Sequence, residues 1–190
     1  MALMADWNKT LCEAVGHIQT RYIHIGRKTG APFLAVMYPP EIEEAVFKEW
    51  AALVNSLDND FFVKDLDVLE ITQDVLREIG LDTILASVKD PEPGCNPEQD
   101  LANLWLTEIS KRVREAFESQ HKGRPLVVLK RLAALYPITG PQMVMQRLWD
   151  SDHEFLNGPV VILIPGTLTE SRRYAFMNQV DEFMYRGDIL

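Results

Sequence analysis

The run Val160, Val161, Ile162, Leu163 and Ile164 is β-branched or aliphatic at every position. A strand that alternates apolar and polar residues can leave one face in water, but a strand with no polar position must be covered on both faces. Helices that link parallel strands supply that double cover, so the run restricts the chain to layered α/β architectures. Two more runs of this kind occur, from Phe33 to Met37 and from Leu126 to Leu129. Each run leads to a proline exit, at Pro39, Pro137 and Pro165 respectively.

Between the runs the apolar period changes to that of helices. Ile42, Ala45, Val46, Trp50, Leu53, Val54 and Leu57 recur at helical spacing, which predicts a helix with one apolar face. Asp58, Asn59 and Asp60 predict a turn, and Phe61, Phe62, Val63 and Leu66 a shorter second strand. A helix is expected from Leu69 to Ile79, stopped by Gly80, with another turn or two between Leu81 and Val88. The stretch from Lys89 to Glu98 reads as an exposed proline-rich loop, and Leu101 to Phe117 as a long amphipathic helix. Pro141, after Gly140, suits a first helical position. Beyond Pro165 and Gly166, the T-x-x-E spacing of Thr167 and Glu170 has the form of a capping box and predicts a helix from about Glu170 to Met184. Residues 1–30 read as a helical lead-in, helical from Trp7 to about Gln19, and residues 31–190 as one α/β domain. The expected fold is a single three-layer α/β/α domain with a mostly parallel sheet of about four or five strands. Its layering is P-loop-NTPase-like or Rossmann-like, without a nucleotide motif.

Charge bounds the ligands. With a net charge of −9 over 190 residues, a general polyanion binder is disfavoured, and only a local basic patch would serve. Arg172 with Arg173, and Lys111 with Arg112 and Arg114, are the local candidates, and solvated helix faces account for such groups. Cys12 and Cys95 fall in no metal or redox spacing and fit a reducing cytoplasm. The stretch before Cys12 has no signal-peptide pattern, and no apolar run approaches the roughly 20 residues that cross a bilayer. A cytoplasmic protein without membrane contact is expected.

Candidate chemistry is sparse. Gly26, Arg27, Lys28 and Thr29 echo the end of a P-loop, but the motif's glycines are missing where Arg27 and Tyr22 stand, and the stretch precedes a strand instead of following one. Asp65 and Asp67 have a spacing suited to magnesium, or to capping the next helix. Asp150, Asp152, His153 and Glu154 form an acidic group that reads as a hydrated loop. Ser171 lacks a nucleophile elbow, and His17, His24, His121 and His153 are scattered without metal spacing. No catalytic, cofactor or metal set is predicted. Tyr38 and Tyr136, each beside proline at a strand exit, offer rigid aromatic surface for a protein partner, or for the core.

Three segments together resemble the BrxB family of BREX (bacteriophage exclusion) defence systems: Ala31 to Trp50, Leu126 to Leu148, and the segment from Gly158 with its downstream Tyr185 and Arg186. Pro159, Val161, Pro165, Gly166, Phe176, Tyr185 and Arg186 fit the family-like pattern of the last segment, while Ile164, Gly187 and Asp188 depart from it. The resemblance implies a non-catalytic scaffold or adaptor of an antiphage complex. The partners it implies are the PglZ phosphatase-like protein first, then the PglX methyltransferase and the BrxC ATPase. Partner contacts are then expected at Tyr38, Pro39, Glu41, Tyr136, Pro137, Pro165, Gly166, Arg173, Tyr185 and Arg186. The alternatives are an NTPase-like or phosphate-ester enzyme using Asp65 and Asp67, and a weak DNA-binding accessory subunit.

Overall fold

The structure is a computed structural model that describes residues 3–57 and 60–190, without the side chains of residues 3–6 and 152. The turn expected over Asp58 to Asp60 lies largely outside the described residues, as does the side chain of Asp152. Among the described residues seven strands form one sheet: β1 (Phe33–Tyr38), β2 (Phe61–Asp67), β3 (Arg124–Lys130), β4 (Val160–Glu170), β5 (Arg173–Phe176), β6 (Val180–Phe183) and β7 (Asp188–Ile189). The main path runs β2-β3-β4-β1-β7 and is parallel throughout. Among the described residues six α-helices accompany it: α1 (Leu3–Arg21), α2 (Glu43–Val54), α3 (Val68–Ile79), α4 (Leu81–Lys89), α5 (Pro97–Glu118) and α6 (Pro141–Asp152). The expected three-layer α/β/α domain is what forms.

The unbroken apolar runs are explained by the two cores. Phe33, Ala35 and Met37 of β1, Val127 and Leu129 of β3, and Val160, Ile162 and Ile164 of β4 face α3, α5 and α6. Their neighbours Leu34, Val36, Tyr38, Leu126, Val128, Val161 and Leu163 face α1 and α2. Every position is therefore buried, on alternate sides. The N-terminal lead-in is part of this cover: Leu11, Ala14, Val15 and Ile18 of α1 lie in the second core beside Val46 and Trp50 of α2.

Connection direction decides which face each helix covers. From β1 the chain passes β4 and β3 to reach β2, and then returns stepwise through β3 to β4. Crossovers of one hand that run in opposite directions place their helices on opposite faces, so α2 lies on one side and α3, α5 and α6 on the other. The helix starts are chemically marked. Asp67 accepts from Leu69 N at 3.1 Å to cap α3, and Asn96 accepts from Gln99 N at 3.2 Å with Pro97 next to it at the start of α5.

The segment after Pro165 corrects the sequence reading. No helix runs from Glu170 to Met184: β4 continues through Pro165 and Gly166 to Glu170 and turns back as the antiparallel hairpins β4-β5 and β5-β6. Proline is tolerated because β3 pairs with β4 only as far as Ile162, which leaves Pro165 with Tyr38 of β1 as its one parallel neighbour. Gly166 is needed for close approach, since a Cβ there would run into the main-chain oxygen of Ala175 on β5. Thr167 and Glu170, which read as a capping box, instead hold the hairpin: Thr167 Oγ1 donates to Asn178 Oδ1 at 2.8 Å, and Glu170 pairs with Arg173 at 3.6 Å.

Candidate functional site

The hairpin is folded against α6 by a small polar clamp. Gln142, in the first turn of α6, donates its main-chain N–H to Glu182 Oε2 at 2.9 Å and accepts from Phe183 N at its own Oε1, also at 2.9 Å. Tyr174 donates its hydroxyl to the same Glu182 oxygen at 2.6 Å. Gly140 at the N-terminus of α6 has no side chain to cap the helix, so Glu182 supplies the acceptor from β6. Burial raises the Glu182 carboxyl above the ordinary glutamate value, while the Tyr174 and Gln142 hydrogen bonds pull the other way. The Tyr174 phenol is pushed well above its usual range by burial and by the neighbouring carboxylate.

A second clamp fixes the C-terminal segment. Arg186 Nη1 donates to Thr29 O at 2.9 Å, and Gly187 N donates to Thr29 Oγ1 at 2.6 Å. Gly187 has a φ of 94° and lies against Phe33 O, so no other residue fits without strain. The clamp sets the Arg186 guanidinium over Trp149 at 4.9 Å and over Tyr185 at 5.3 Å from the ring centroids. Beside it opens a cavity of about 330 Å³ between α6 and the chain end, lined by Gln142, Met145, Gln146, Trp149, Phe183 and Tyr185 among others.

A neighbouring depression shares Gln146 and Asp150 with this cavity, and shares Met143 with another that is lined by Tyr136 and Pro137. Around them apolar side chains are exposed: Tyr136 by 39%, Met143 by 40%, Val180 by 41% and Tyr185 by 73%. Tyr136 stands edge-on to the buried ring of Phe176 at 6.3 Å, so a core aromatic holds its orientation.

The expected contact residues therefore divide. Tyr136 and Pro137, in the turn before α6, Arg173 on the hairpin, and Tyr185 and Arg186 in the segment after it lie around the same face, where Arg173 lies over the Phe183 ring at 5.8 Å. Tyr38 does not join them: it is 1% exposed and donates to Glu43 Oε2 at 2.6 Å inside the α1 and α2 core. Burial, with the Glu43 hydrogen bond and charge, pushes its phenol well above the usual range. Pro165 and Gly166 are buried as well, and Pro39 and Glu41 stand at the start of α2. Strand-exit proline marks an internal junction at Pro165 and a surface turn at Pro137.

The candidates for metal or acid-base chemistry are otherwise engaged. Asp67 caps α3 and pairs with Arg131 at 3.2 Å, and Asp65 pairs with Lys130 at 3.5 Å. Among the described residues no group of three histidine, cysteine, aspartate or glutamate side chains is placed to hold a metal ion. His153 stacks on Trp149 at 4.0 Å and His121 on Phe62 at 4.6 Å. Gly26 to Thr29 form a turn ahead of β1, tied to the chain end through Thr29 and through Asp188, which accepts from Gly26 N at 2.8 Å. Among the described residues no helix is long and apolar enough to cross a membrane.

Sequence reasoning missed Trp149, Gln142 and Glu182 as parts of this face. The available signals were Tyr174 and Phe176 at strand spacing and Asn178 in the following turn, which has a positive φ of 56°. Compared with family models, curated proteins and solved structures, the chain matches none.

Proposed function

We propose that the chain is an adaptor that works by protein-protein contact through the face built from α6, the β5-β6 hairpin and the Tyr185–Arg186 segment. The observation that carries this reading is a set of exposed apolar side chains on one face, Tyr136, Met143 and Val180 around one depression and Tyr185 at the neighbouring cavity, held in place by half-buried clamps. Rigid aromatic side chains at the rim of a preformed cavity are the usual anchors of protein recognition, because they bury large area at small entropic cost. The Arg186 guanidinium, stacked between two rings, adds a planar donor for a partner carboxylate.

The resemblance of Ala31 to Trp50, Leu126 to Leu148 and the segment from Gly158 to Arg186 supplies the setting: a BREX-type defence complex, with the PglZ phosphatase-like component as first partner and PglX and BrxC as further ones. In this reading the chain carries no catalysis of its own and works in the cytoplasm. A tagged copy purified from cells that express the whole operon should retain PglZ. Recovery of the tagged chain free of PglZ, PglX and BrxC would refute the reading.

A further inference from the structure

The net charge of −9 hides a basic groove on the side of the molecule where the end of α1 meets the turn before β1 and the chain end. Its volume is about 850 Å³, and His17, Arg21, His24, Arg27, Lys28 and Arg172 line it. Five of these residues fall between positions 17 and 28, and Arg172 reaches the groove from the β4-β5 turn. Among the described residues one side-chain carboxylate, that of Asp188, lies in the wall, and it accepts from Gly26 N.

The cations are not neutralised by one another's surroundings. Arg172 is held by main-chain oxygens, with Nε donating to Met184 O at 2.8 Å and Nη2 to Gly187 O at 3.2 Å, so its position is fixed and its charge is not cancelled by a carboxylate. Arg27 Nη1 donates to His24 Nδ1 at 3.1 Å, which makes His24 an acceptor there. Arg21 and Lys28 are exposed and pair with no acid among the described residues. His17 lies 4.0 Å from Glu13. The opposite situation holds on α5, where Lys111 and Arg112 are both paired with Glu108.

We infer that this groove binds the phosphodiester backbone of a nucleic acid without reading its sequence. Arginines in number favour phosphate oxygens, which accept their fork of donors in pairs. No tyrosine, tryptophan or phenylalanine lines the groove, so there is no stacking platform for bases, and recognition stays with the backbone. The groove has room for more than one phosphate, and it lacks the deep aromatic anchors that an acidic protein segment would use. The inference is independent of the adaptor reading, because it concerns other residues and a test on the purified chain alone.

The experiment is fluorescence anisotropy with a labelled duplex of about 20 base pairs, titrated between about 20 and 150 mM salt. Four phosphate contacts give a log-log salt slope of about −3.6, and Arg21→Glu with Lys28→Glu should weaken binding roughly tenfold or more and bring the slope to about −1.8. The control is Lys111→Glu with Lys122→Glu, which changes the net charge by the same amount away from the groove and should leave binding within about twofold. Three results would overturn the inference: no binding by the parent chain at the lowest salt, equal loss in both double variants, or tighter binding of a polyglutamate peptide than of the duplex.

Discussion

Replacing Glu182 tests how the hairpin is fixed to α6. Glu182→Ala removes the acceptor for both the Gln142 N–H and the Tyr174 hydroxyl, at 2.9 and 2.6 Å. Loss of a helix-cap acceptor costs about 1 kcal/mol, and a buried hydroxyl left without a partner about 1–3 kcal/mol. The sum is about 3 kcal/mol, which for a domain of this size lowers Tm by about 6–12 °C. Glu182→Gln keeps an acceptor oxygen and the shape of the side chain. Because burial already favours the uncharged carboxyl, the amide should cost less than about 1 kcal/mol.

The same residue sets a pH dependence with a definite sign. An acid whose pKa is higher in the folded chain holds its proton better when folded, so its contribution is complete below the ordinary glutamate value of 4.5. The contribution is lost as pH rises through the raised folded value. Urea denaturation of the parent and of Glu182→Gln across that range gives the difference directly: the parent should lose stability relative to the glutamine variant as pH rises. Equal destabilisation by glutamine and alanine, or a parent that gains on the variant with rising pH, would refute an acceptor whose pKa is raised by burial on folding.

Gly166→Ala should cost about 1–3 kcal/mol, because a Cβ must displace the Ala175 main chain, and an unchanged Tm would show that β4 and β5 are not so closely apposed. Asp67→Ala should cost about 1–2 kcal/mol through the α3 cap and the Arg131 pair, while Asp67→Asn keeps the cap and loses less; a magnesium-dependent Tm in the parent that vanishes in Asp67→Asn would favour the enzyme alternative instead. Tyr22, half-buried and donating to Pro125 O at 2.6 Å, has its phenol pushed up to about 12, so its contribution is complete below pH 10 and lost as pH rises through 12. Denaturation of Tyr22→Phe over that interval should show a shallower alkaline decline than the parent, and identical slopes would contradict this.

The layered fold was legible because burial on both faces leaves a direct mark, an unbroken apolar run, at Phe33 to Met37, at Leu126 to Leu129 and in the first half of β4. Helix boundaries such as Asp67 and Gly80 were legible because single residues make the cap and the stop. The hairpin was not, because T-x-x-E is a local spacing that two residues of one strand, each bonded across a hairpin, satisfy equally well, and Pro165 loses its breaking power where β3 no longer pairs with β4. Half of the candidate face could be read from Tyr136, Pro137, Tyr185 and Arg186. Tyr38 has the same proline neighbour as Tyr136, but the two differ in what lies opposite: α2 supplies Glu43 to one hydroxyl, and solvent meets the other ring. That difference is set by tertiary placement and leaves no trace in the dipeptide. The basic groove was equally hidden, since Arg172 meets Arg21 only through the order of β1 and β7 in the sheet.

The adaptor reading stands or falls on the affinity of the purified chain for purified PglZ, measured by calorimetry for the parent, for Tyr136→Ala with Tyr185→Ala, and for Leu81→Ser with Leu85→Ser. The last pair alters α4, whose Leu81 and Leu85 are also exposed and offer a rival apolar surface. Hot-spot aromatics contribute about 2 kcal/mol or more each, so the tyrosine pair should weaken binding by roughly a hundredfold or more at unchanged Tm, with the leucine pair near the parent. Full affinity in the tyrosine variant, or its loss in the leucine variant alone, would contradict the assignment of this face.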